Sequence, residues 1–194
     1  NAIKIFNDKS VDEIIVIDIN VDKHTNPDYE DIEKLNNESF MPFTYGGGVK
    51  NLRDADILFS KGIEKISIQS AALNNLKLIE EISNKYGSQS LILSLDYINY
   101  SSHVKLRNID KKMSLKDLKT FLKDFLNAGI GELFINNISK DGMKSGQDYE
   151  FISILNSFLN IPLISAGGTR SKEDMVKVFK SGADAVGIGS YFIF

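Results

Sequence analysis

The sequence predicts an α/β fold, a (β/α)8 (TIM) barrel built from two similar half-barrels. Short apolar segments bounded by Gly, Asp or Asn recur along the 194 residues, and each is followed by a segment of helix length. The glycine pair at 47–48 also recurs, without any gap, at 167–168. Nearly continuous apolar strands that alternate with helices are typical of a parallel sheet covered by helices. An open, doubly wound sheet is the alternative fold.

The internal repeat extends well beyond the glycine pair. Each copy has a short strand, the glycine pair, a helix that contains an acid, a Gly turn and a second strand that ends in a small polar residue. We therefore expect the same supersecondary unit to occur twice. The further matched pairs, all 120 positions apart, are Asp54 and Asp174, Phe59 and Phe179, Gly62 and Gly182, and Ser70 and Ser190.

The individual strands and helices follow from the apolar pattern. Residues 1–8 are predicted to be the rest of a first helix, and the polar segment 101–114 an irregular loop over the barrel mouth. The repeat places a further strand before residue 1 and a final helix after residue 194, so we expect a single but incomplete barrel domain over 1–194. Predicted strands are 13–19, 42–45, 65–68, 91–96, 132–136, 162–165 and 185–189, and predicted helices are 52–61, 76–86, 114–128, 149–159 and 172–181.

Composition narrows the class of function. A net charge of −3, a pI near 5.5 and scattered lysines argue against a nucleic-acid partner. The chain has no cysteine, and His24 and His103 lack the spacing of a metal site. No apolar run approaches the roughly 18 residues of a membrane span, and no signal-peptide pattern is found. We therefore expect a cytoplasmic protein without a metal or another cofactor.

The glycine pairs predict phosphate sites. Functional groups of (β/α)8 barrels lie at the carboxyl ends of the strands, and a glycine pair there lets backbone N–H groups approach a phosphate closely. The alternative is that these glycines only make tight turns. Two copies predict a ligand with a phosphate at each end. The predicted phosphate-binding residues are Gly47, Gly48, Ser70, Gly167, Gly168, Gly189 and Ser190.

Acidic residues at the strand ends are candidates for proton transfer. Asp96 directly follows the apolar run 91–95, so its carboxylate is expected to face the mouth and to act as a general acid or base. Asp18 and Asp141 are weaker candidates. For all three, the alternative is that the carboxylate caps a helix or binds loop amides.

Charged residues begin three predicted strands, at the end opposite to the mouth. They are Glu13, Lys65 and Glu132. If these side chains point into the barrel, burial is tolerable only when they pair, as two carboxylates around one ammonium group. The alternative is a solvated rim that serves stability alone.

Several segments resemble the cyclase subunit of imidazole glycerol phosphate synthase, a two-fold repeated (β/α)8 barrel. The most specific segments are PFTYGGG at 42–48, KISIQSAA at 65–72, YGSQ at 86–89 and DGMKSG at 141–146. The resemblance implies a ribonucleotide-derived substrate with two phosphates, whose imidazole ring is closed with ammonia. It also implies a glutaminase partner that docks at the barrel floor and supplies ammonia through the barrel interior.

The resemblance also implies roles for individual residues. Asp96 matches one of two acid/base aspartates, the charged residues at the floor match the ammonia entrance, and the glycine and serine positions given above match phosphate-binding positions. The mouth departs from the family pattern at 139–143, at Gln69, at Asn136 and at Ala166, and the segment after 91–96 does not match the family's hairpin. These departures resemble a branch encoded with surface-polysaccharide genes, in which the barrel passes ammonia to an enzyme that amidinates a sugar. A non-cyclising ammonia conduit and the sister isomerase barrel of the histidine pathway are the alternative functions.

Overall fold

Parallel strands alternate with helices throughout the structure, a computed structural model that describes residues 2–21, 26–100 and 102–189. The chain divides into two compact units, Asn1–Ile92 and Leu93–Phe194. This division falls between the two copies of the sequence repeat. The predicted fold class, a (β/α)8 barrel with a two-fold repeat, is confirmed.

The first unit contains three parallel strands, with β2 paired to β1 on one side and to β3 on the other. Their apolar side chains and those of the helices form a core in which Phe43, Leu58, Ile66 and Ile79 are at most 1% exposed. In chain order the elements are α1 (Ala2–Asp8), β1 (Ile14–Ile17), α2 (Tyr29–Glu38), β2 (Phe43–Gly46), α3 (Leu52–Ser60), β3 (Lys65–Ile68), α4 (Ser70–Asn74) and α5 (Leu76–Tyr86).

The second unit contains parallel strands and an antiparallel hairpin. Strand β4 begins two residues before the division and is followed by the hairpin strands β5 and β6. Strand β4 also neighbours β7, and β8 pairs with β7 and with β9. In chain order the elements are β4 (Leu91–Tyr100), β5 (His103–Leu106), β6 (Lys112–Ser114), α6 (Leu115–Ala128), β7 (Glu132–Asn137), α7 (Tyr149–Asn156), β8 (Leu163–Ala166), α8 (Lys172–Lys180) and β9 (Ala185–Val186).

The repeat in the sequence is also a repeat in backbone geometry. The N–H of Ile14 donates to the carbonyl of Pro42 at 3.0 Å, and the N–H of Leu133 donates to that of Pro162 at 2.9 Å. The strand pairs β1–β2 and β7–β8 therefore begin in the same register. Helices α3 and α8 also begin alike, because the side chains of Asn51 and Ser171 accept the N–H of the third helical residue.

The hairpin contradicts the irregular loop predicted for 101–114. Strand β5 alternates strictly, with His103 and Lys105 exposed and Val104 and Leu106 buried, which is the pattern of a strand with one face in the core. The prediction was wrong because polar residues on the exposed face outnumber the two buried side chains. The segment after 91–96 thus forms a hairpin that the sequence does not clearly predict.

Other element boundaries differ by a few residues, and the helices α2 and α4 are additions to the prediction. Strand β1 ends at Ile17 because the chain turns at Asp18, whose carboxylate accepts the N–H of Asn20 at 2.9 Å. Helix α7 ends at Asn156, in advance of Pro162, which has no N–H to continue a helix. Strand β9 is shorter than predicted, and β4 is four residues longer.

Candidate active site

The carboxyl end of β2 forms the first glycine turn. Gly47 and Gly48 have φ angles of 134° and 64°, which residues with a side chain rarely adopt. A Cβ on Gly47 would lie 2.7 Å from the carbonyl oxygen of Asp18, so the turn has no room for one. Ser70 begins α4, and Gln69 is the single residue between it and the neighbouring strand β3. Three of the predicted phosphate-binding residues therefore lie at one edge of this sheet.

The carboxyl end of β8 forms an equivalent turn in the second unit. Gly167 and Gly168 have φ angles of 92° and 98°. A Cβ on Gly167 would lie 2.6 Å from the carbonyl oxygen of Asn137, and the carbonyl of Gly168 accepts the N–H of Gly146 at 2.8 Å. Both copies of the glycine pair thus pack against the backbone at the carboxyl end of the preceding strand.

The last two predicted phosphate-binding residues follow β9. Gly189 is exposed, and a Cβ added to it would meet no described atom within 4 Å. Packing among the described residues therefore does not require glycine at this position. Ser190 lies outside the described residues.

A buried carboxylate supports each glycine turn. Asp54, 8% exposed, accepts the N–H groups of Lys50 and Asn51 at 2.8 and 3.2 Å. Asp174, 1% exposed, accepts the N–H of Arg170 at 3.1 Å. Each carboxylate fixes the backbone that connects the glycine pair to the next helix, so the two turns are held in place at both ends.

Gln147 links the second glycine turn to the loop after β7. Its buried side chain donates to Oγ1 of Thr169 at 2.7 Å and accepts from Oγ of Ser165 at 2.6 Å. The ammonium group of Lys140 donates to the backbone carbonyl of Gln147 at 3.1 Å. The sequence analysis does not identify Gln147, because a single polar residue in a loop leaves no periodic signal.

Asp96 lies where β4 passes from its pairing with β7 into the hairpin. Its side chain is 18% exposed. Asn136 donates from Nδ2 to Oδ1 at 3.2 Å, and Arg107 contacts Oδ2 through Nη1 at 3.5 Å. The predicted strand end at this residue is wrong, because β4 continues to Tyr100. Both carboxylate oxygens nevertheless contact N–H donors, which hold the carboxylate in place.

Arg107 is a candidate that the sequence analysis missed. It lies directly after β5, in the segment for which a loop is predicted. The alternation of Val104 and Leu106 with polar residues would have revealed the strand and placed Arg107 on its exposed face. Asn136 is noted in the sequence only as a departure from the family pattern, and its contact with Asp96 depends on the pairing of two strands that are distant along the chain.

The two weaker acid candidates have different environments. Asp18 accepts the N–H of Asn20 and the phenol of Tyr45, the latter at 3.4 Å. Burial, and then the charge of Asp18, raise the pKa of Tyr45 above its ordinary value, so this phenol remains a donor. Asp141 is exposed in the turn after β7, where its N–H donates to the carbonyl of Asn137 at 3.0 Å.

Two of the predicted floor residues form an ion pair in the first unit. Lys65 donates to both carboxylate oxygens of Glu13, at 3.1 and 3.0 Å, and their side chains are 18% and 42% exposed. Glu132 begins β7 in the second unit. It lies four residues before Asn136, on the same face of the strand and about 13 Å away along it. The end of β7 opposite to Asp96 thus carries a carboxylate.

Metal-binding side chains are dispersed within residues 2–21, 26–100 and 102–189: no three His, Cys, Asp or Glu side chains there lie close enough together to hold a metal ion. In the same described ranges, no helix combines the length and the apolar character needed to cross a membrane. Oγ of Ser102 and Nδ1 of His103 share a hydrogen bond of 2.8 Å, and His24 lies outside the described residues.

Comparison with known proteins identifies the family. All 194 residues match the family model described as histidine biosynthesis protein. A protein of Pseudomonas aeruginosa, provisionally named imidazole glycerol phosphate synthase subunit hisF2, is 39% identical over 100% of this chain and 79% of its own length. Proteins of Helicobacter hepaticus and Dictyoglomus thermophilum, each named imidazole glycerol phosphate synthase subunit HisF, are 35% and 33% identical, over 96% of this chain and 75% of their own. The resemblance found in the sequence is confirmed: the chain belongs to the histidine biosynthesis protein family, and its relatives include subunits of imidazole glycerol phosphate synthase.

Proposed function

We propose that this chain is the cyclase subunit of an imidazole glycerol phosphate synthase. It uses ammonia from a glutaminase partner to close the imidazole ring on a ribonucleotide-derived substrate with two phosphates. The observation that carries this proposal is the glycine turn, which has positive φ angles and lies at the carboxyl end of a parallel strand in each unit. One turn for each end of the ligand matches a substrate of this kind.

Backbone N–H groups supply the phosphate contacts in this proposal. Successive backbone N–H groups in a turn form a concave site that binds an anion. The pairs Gly47–Gly48 and Gly167–Gly168 form turns in which both residues have a positive φ. The hydroxyl of Ser70, exposed at the start of α4, adds a donor beside the first pair. Gly189 and Ser190 are proposed to complete the second site.

Asp96 is the proposed acid/base residue. Its carboxylate lies in the same unit as the second glycine turn and near the carboxyl end of β7, where Asn136 holds one of its oxygens. Because the side chain is largely but not fully buried, it is accessible to a ligand and shielded from bulk water. Proton transfer by a positioned carboxylate contributes typically 10²–10⁴-fold to a rate.

The floor residues are proposed to admit ammonia from the glutaminase. Lys65 keeps its ammonium group at the start of β3 by pairing with Glu13, and Glu132 occupies the corresponding start of β7. Paired charges keep this end of the strands polar while the strands themselves are apolar. We expect this polar end of the strands to admit a small neutral molecule such as ammonia.

The test of this function is turnover of the bis-phosphorylated substrate by the natural protein with ammonium salts in place of the glutaminase. Replacing Asp96 by Asn should lower kcat by about 10²-fold or more, because the amide cannot accept the proton. Asp124→Asn, on the exposed face of α6, is the matched control and should leave kcat unchanged. Normal turnover by Asp96→Asn would exclude the assigned role.

A non-cyclising ammonia conduit for amidination of a surface-polysaccharide sugar is the second candidate. One observation favours it: both oxygens of Asp96 are already engaged by Asn136 and Arg107. A conduit would bind the glutaminase but form no imidazole product, even at saturating ammonium. Ring closure at ordinary enzymatic rates would rule it out.

A further inference from the structure

The β4–β5 hairpin places Arg107 beside Asp96 independently of their side chains. The N–H of Arg107 donates to the carbonyl of Asp96 at 2.8 Å, next to the antiparallel pair Tyr97 and Leu106. Leu106 packs into the core, so the residues on either side of it, Lys105 and Arg107, lie on the exposed face. Backbone pairing therefore sets the proximity of the guanidinium to the carboxylate.

The guanidinium of Arg107 is well placed to contact a ligand. Its side chain is 63% exposed, and its Nη1 lies 3.5 Å from Oδ2 of Asp96. An ion pair as exposed and as long as this one contributes little to stability. A guanidinium carries five N–H donors, of which one, on Nη1, contacts Asp96. A ligand group that reaches the carboxylate of Asp96 also comes within reach of these donors.

We propose that Arg107 is a catalytic residue that stabilises the negative charge left on the substrate when Asp96 removes a proton. This proposal rests on the proposed cyclase function and names a new participant in its proton-transfer step. The same guanidinium contacts the carboxylate before the transfer and the substrate anion after it, so the positive charge is already in place when the anion forms.

The charges balance in this step. A substrate O–H or C–H bond breaks, its electron pair stays on the substrate, and the proton forms a bond with an oxygen of Asp96. The carboxylate becomes neutral as the substrate becomes negative, while the charge of Arg107 does not change. Asn136 keeps its hydrogen bond to Oδ1 throughout, which leaves Oδ2, the oxygen beside Arg107, as the one that takes the proton.

The experiment compares Arg107→Ala, Arg107→Lys and Lys105→Ala in the natural protein, with ammonium as the nitrogen source and the bis-phosphorylated substrate as the probe. Removal of an interaction that exists only in the transition state lowers kcat without changing KM. Arg107→Ala should therefore lower kcat by about 10²-fold and leave KM unchanged, and Arg107→Lys should restore part of the rate. Lys105→Ala removes an exposed positive charge from the same strand face and should match the parent protein.

Each outcome decides the proposal. Unchanged kcat in Arg107→Ala refutes it, and so does a rise in KM at constant kcat, which would make Arg107 a binding residue only. A loss that Lys105→Ala reproduces would assign the effect to the overall charge of the hairpin. The free energy of unfolding should not change in Arg107→Ala, and a large decrease would show that the residue is structural. If the parent protein itself forms no imidazole product, the cyclase function fails and this step fails with it.

Discussion

Substitution of Gly167 by Ala tests whether the second glycine turn has the backbone geometry on which the phosphate site depends. At a φ of 92° an L-residue costs about 1–2 kcal/mol. The new Cβ would also lie 2.6 Å from the carbonyl oxygen of Asn137, and relief of such an overlap in a packed region costs about 1–3 kcal/mol. Together the two effects should lower the free energy of unfolding by about 2–5 kcal/mol.

Gly142→Ala is the matched control for this prediction. Gly142 has a φ of 71°, but a Cβ there would meet no described atom within 4 Å, so only the conformational cost of about 1–2 kcal/mol applies. Ala restricts the unfolded chain equally at both positions. The difference between the two variants, about 1–3 kcal/mol, therefore measures the overlap with Asn137.

Urea denaturation and thermal melting provide the assay. For a protein of this size each kcal/mol corresponds to about 2–4 °C in Tm, so Gly167→Ala should melt about 4–20 °C below the parent and clearly below Gly142→Ala. The affinity for inorganic phosphate should also fall in Gly167→Ala alone. Equal stability of the two variants would refute the close approach of the turn to the backbone at the end of β7.

Three further predictions concern the repeat, alkaline pH and the floor. Tyr29 donates to Oδ1 of Asp54 at 3.1 Å, whereas in the described residues Tyr149, its counterpart 120 positions later, has no partner for its buried hydroxyl. Tyr29→Phe should therefore lower the free energy of unfolding by about 1–3 kcal/mol. Tyr149→Phe should leave the free energy of unfolding, measured by urea denaturation, unchanged or raise it. Burial, and then Asp54, raise the pKa of Tyr29 to about 12. Since the unfolded chain loses this phenol proton near pH 10, the stability it contributes is complete below pH 10 and is lost between pH 10 and 12, and Tyr29→Phe should flatten a stability profile recorded over that range. Lys65→Met removes the partner of the half-exposed Glu13 and should lower the free energy of unfolding by at most about 1 kcal/mol. It should lower glutamine-dependent turnover but not ammonium-dependent turnover. An equal loss in both assays would show that Lys65 is not part of the ammonia entrance.

The glycine turns were predictable because their requirement is local. A backbone that needs positive φ and close approach selects Gly at that position whatever surrounds it, so the pairs at 47–48 and 167–168 are visible in the sequence. The position of Asp96 was predictable for a similar reason, since the apolar run before it marks a buried strand. The pairing of Glu13 with Lys65 followed from the cost of burying either charge alone.

Contacts between distant segments were not predictable in this way. Arg107 and Asn136 meet Asp96 only because the hairpin and the β4–β7 neighbourhood bring them there. The repeat also fails to predict side-chain contacts: Asp54 and Asp174 are matched in sequence, yet among the described residues Asp174 has a buried oxygen without a partner. Identical residues at equivalent positions thus differ in their contacts, even where the neighbouring residue is the same, as with Tyr29 and Tyr149.

The central claim is that this chain closes an imidazole ring, and product analysis tests it most directly. The natural protein, incubated with the bis-phosphorylated substrate and saturating ammonium, should release imidazole glycerol phosphate together with an aminoimidazole carboxamide ribonucleotide. Both products should appear in equal amounts, and both should form at least about 10²-fold more slowly with Asp96→Asn. Tight binding of the glutaminase without either product would contradict the claim and would identify the chain as an ammonia conduit.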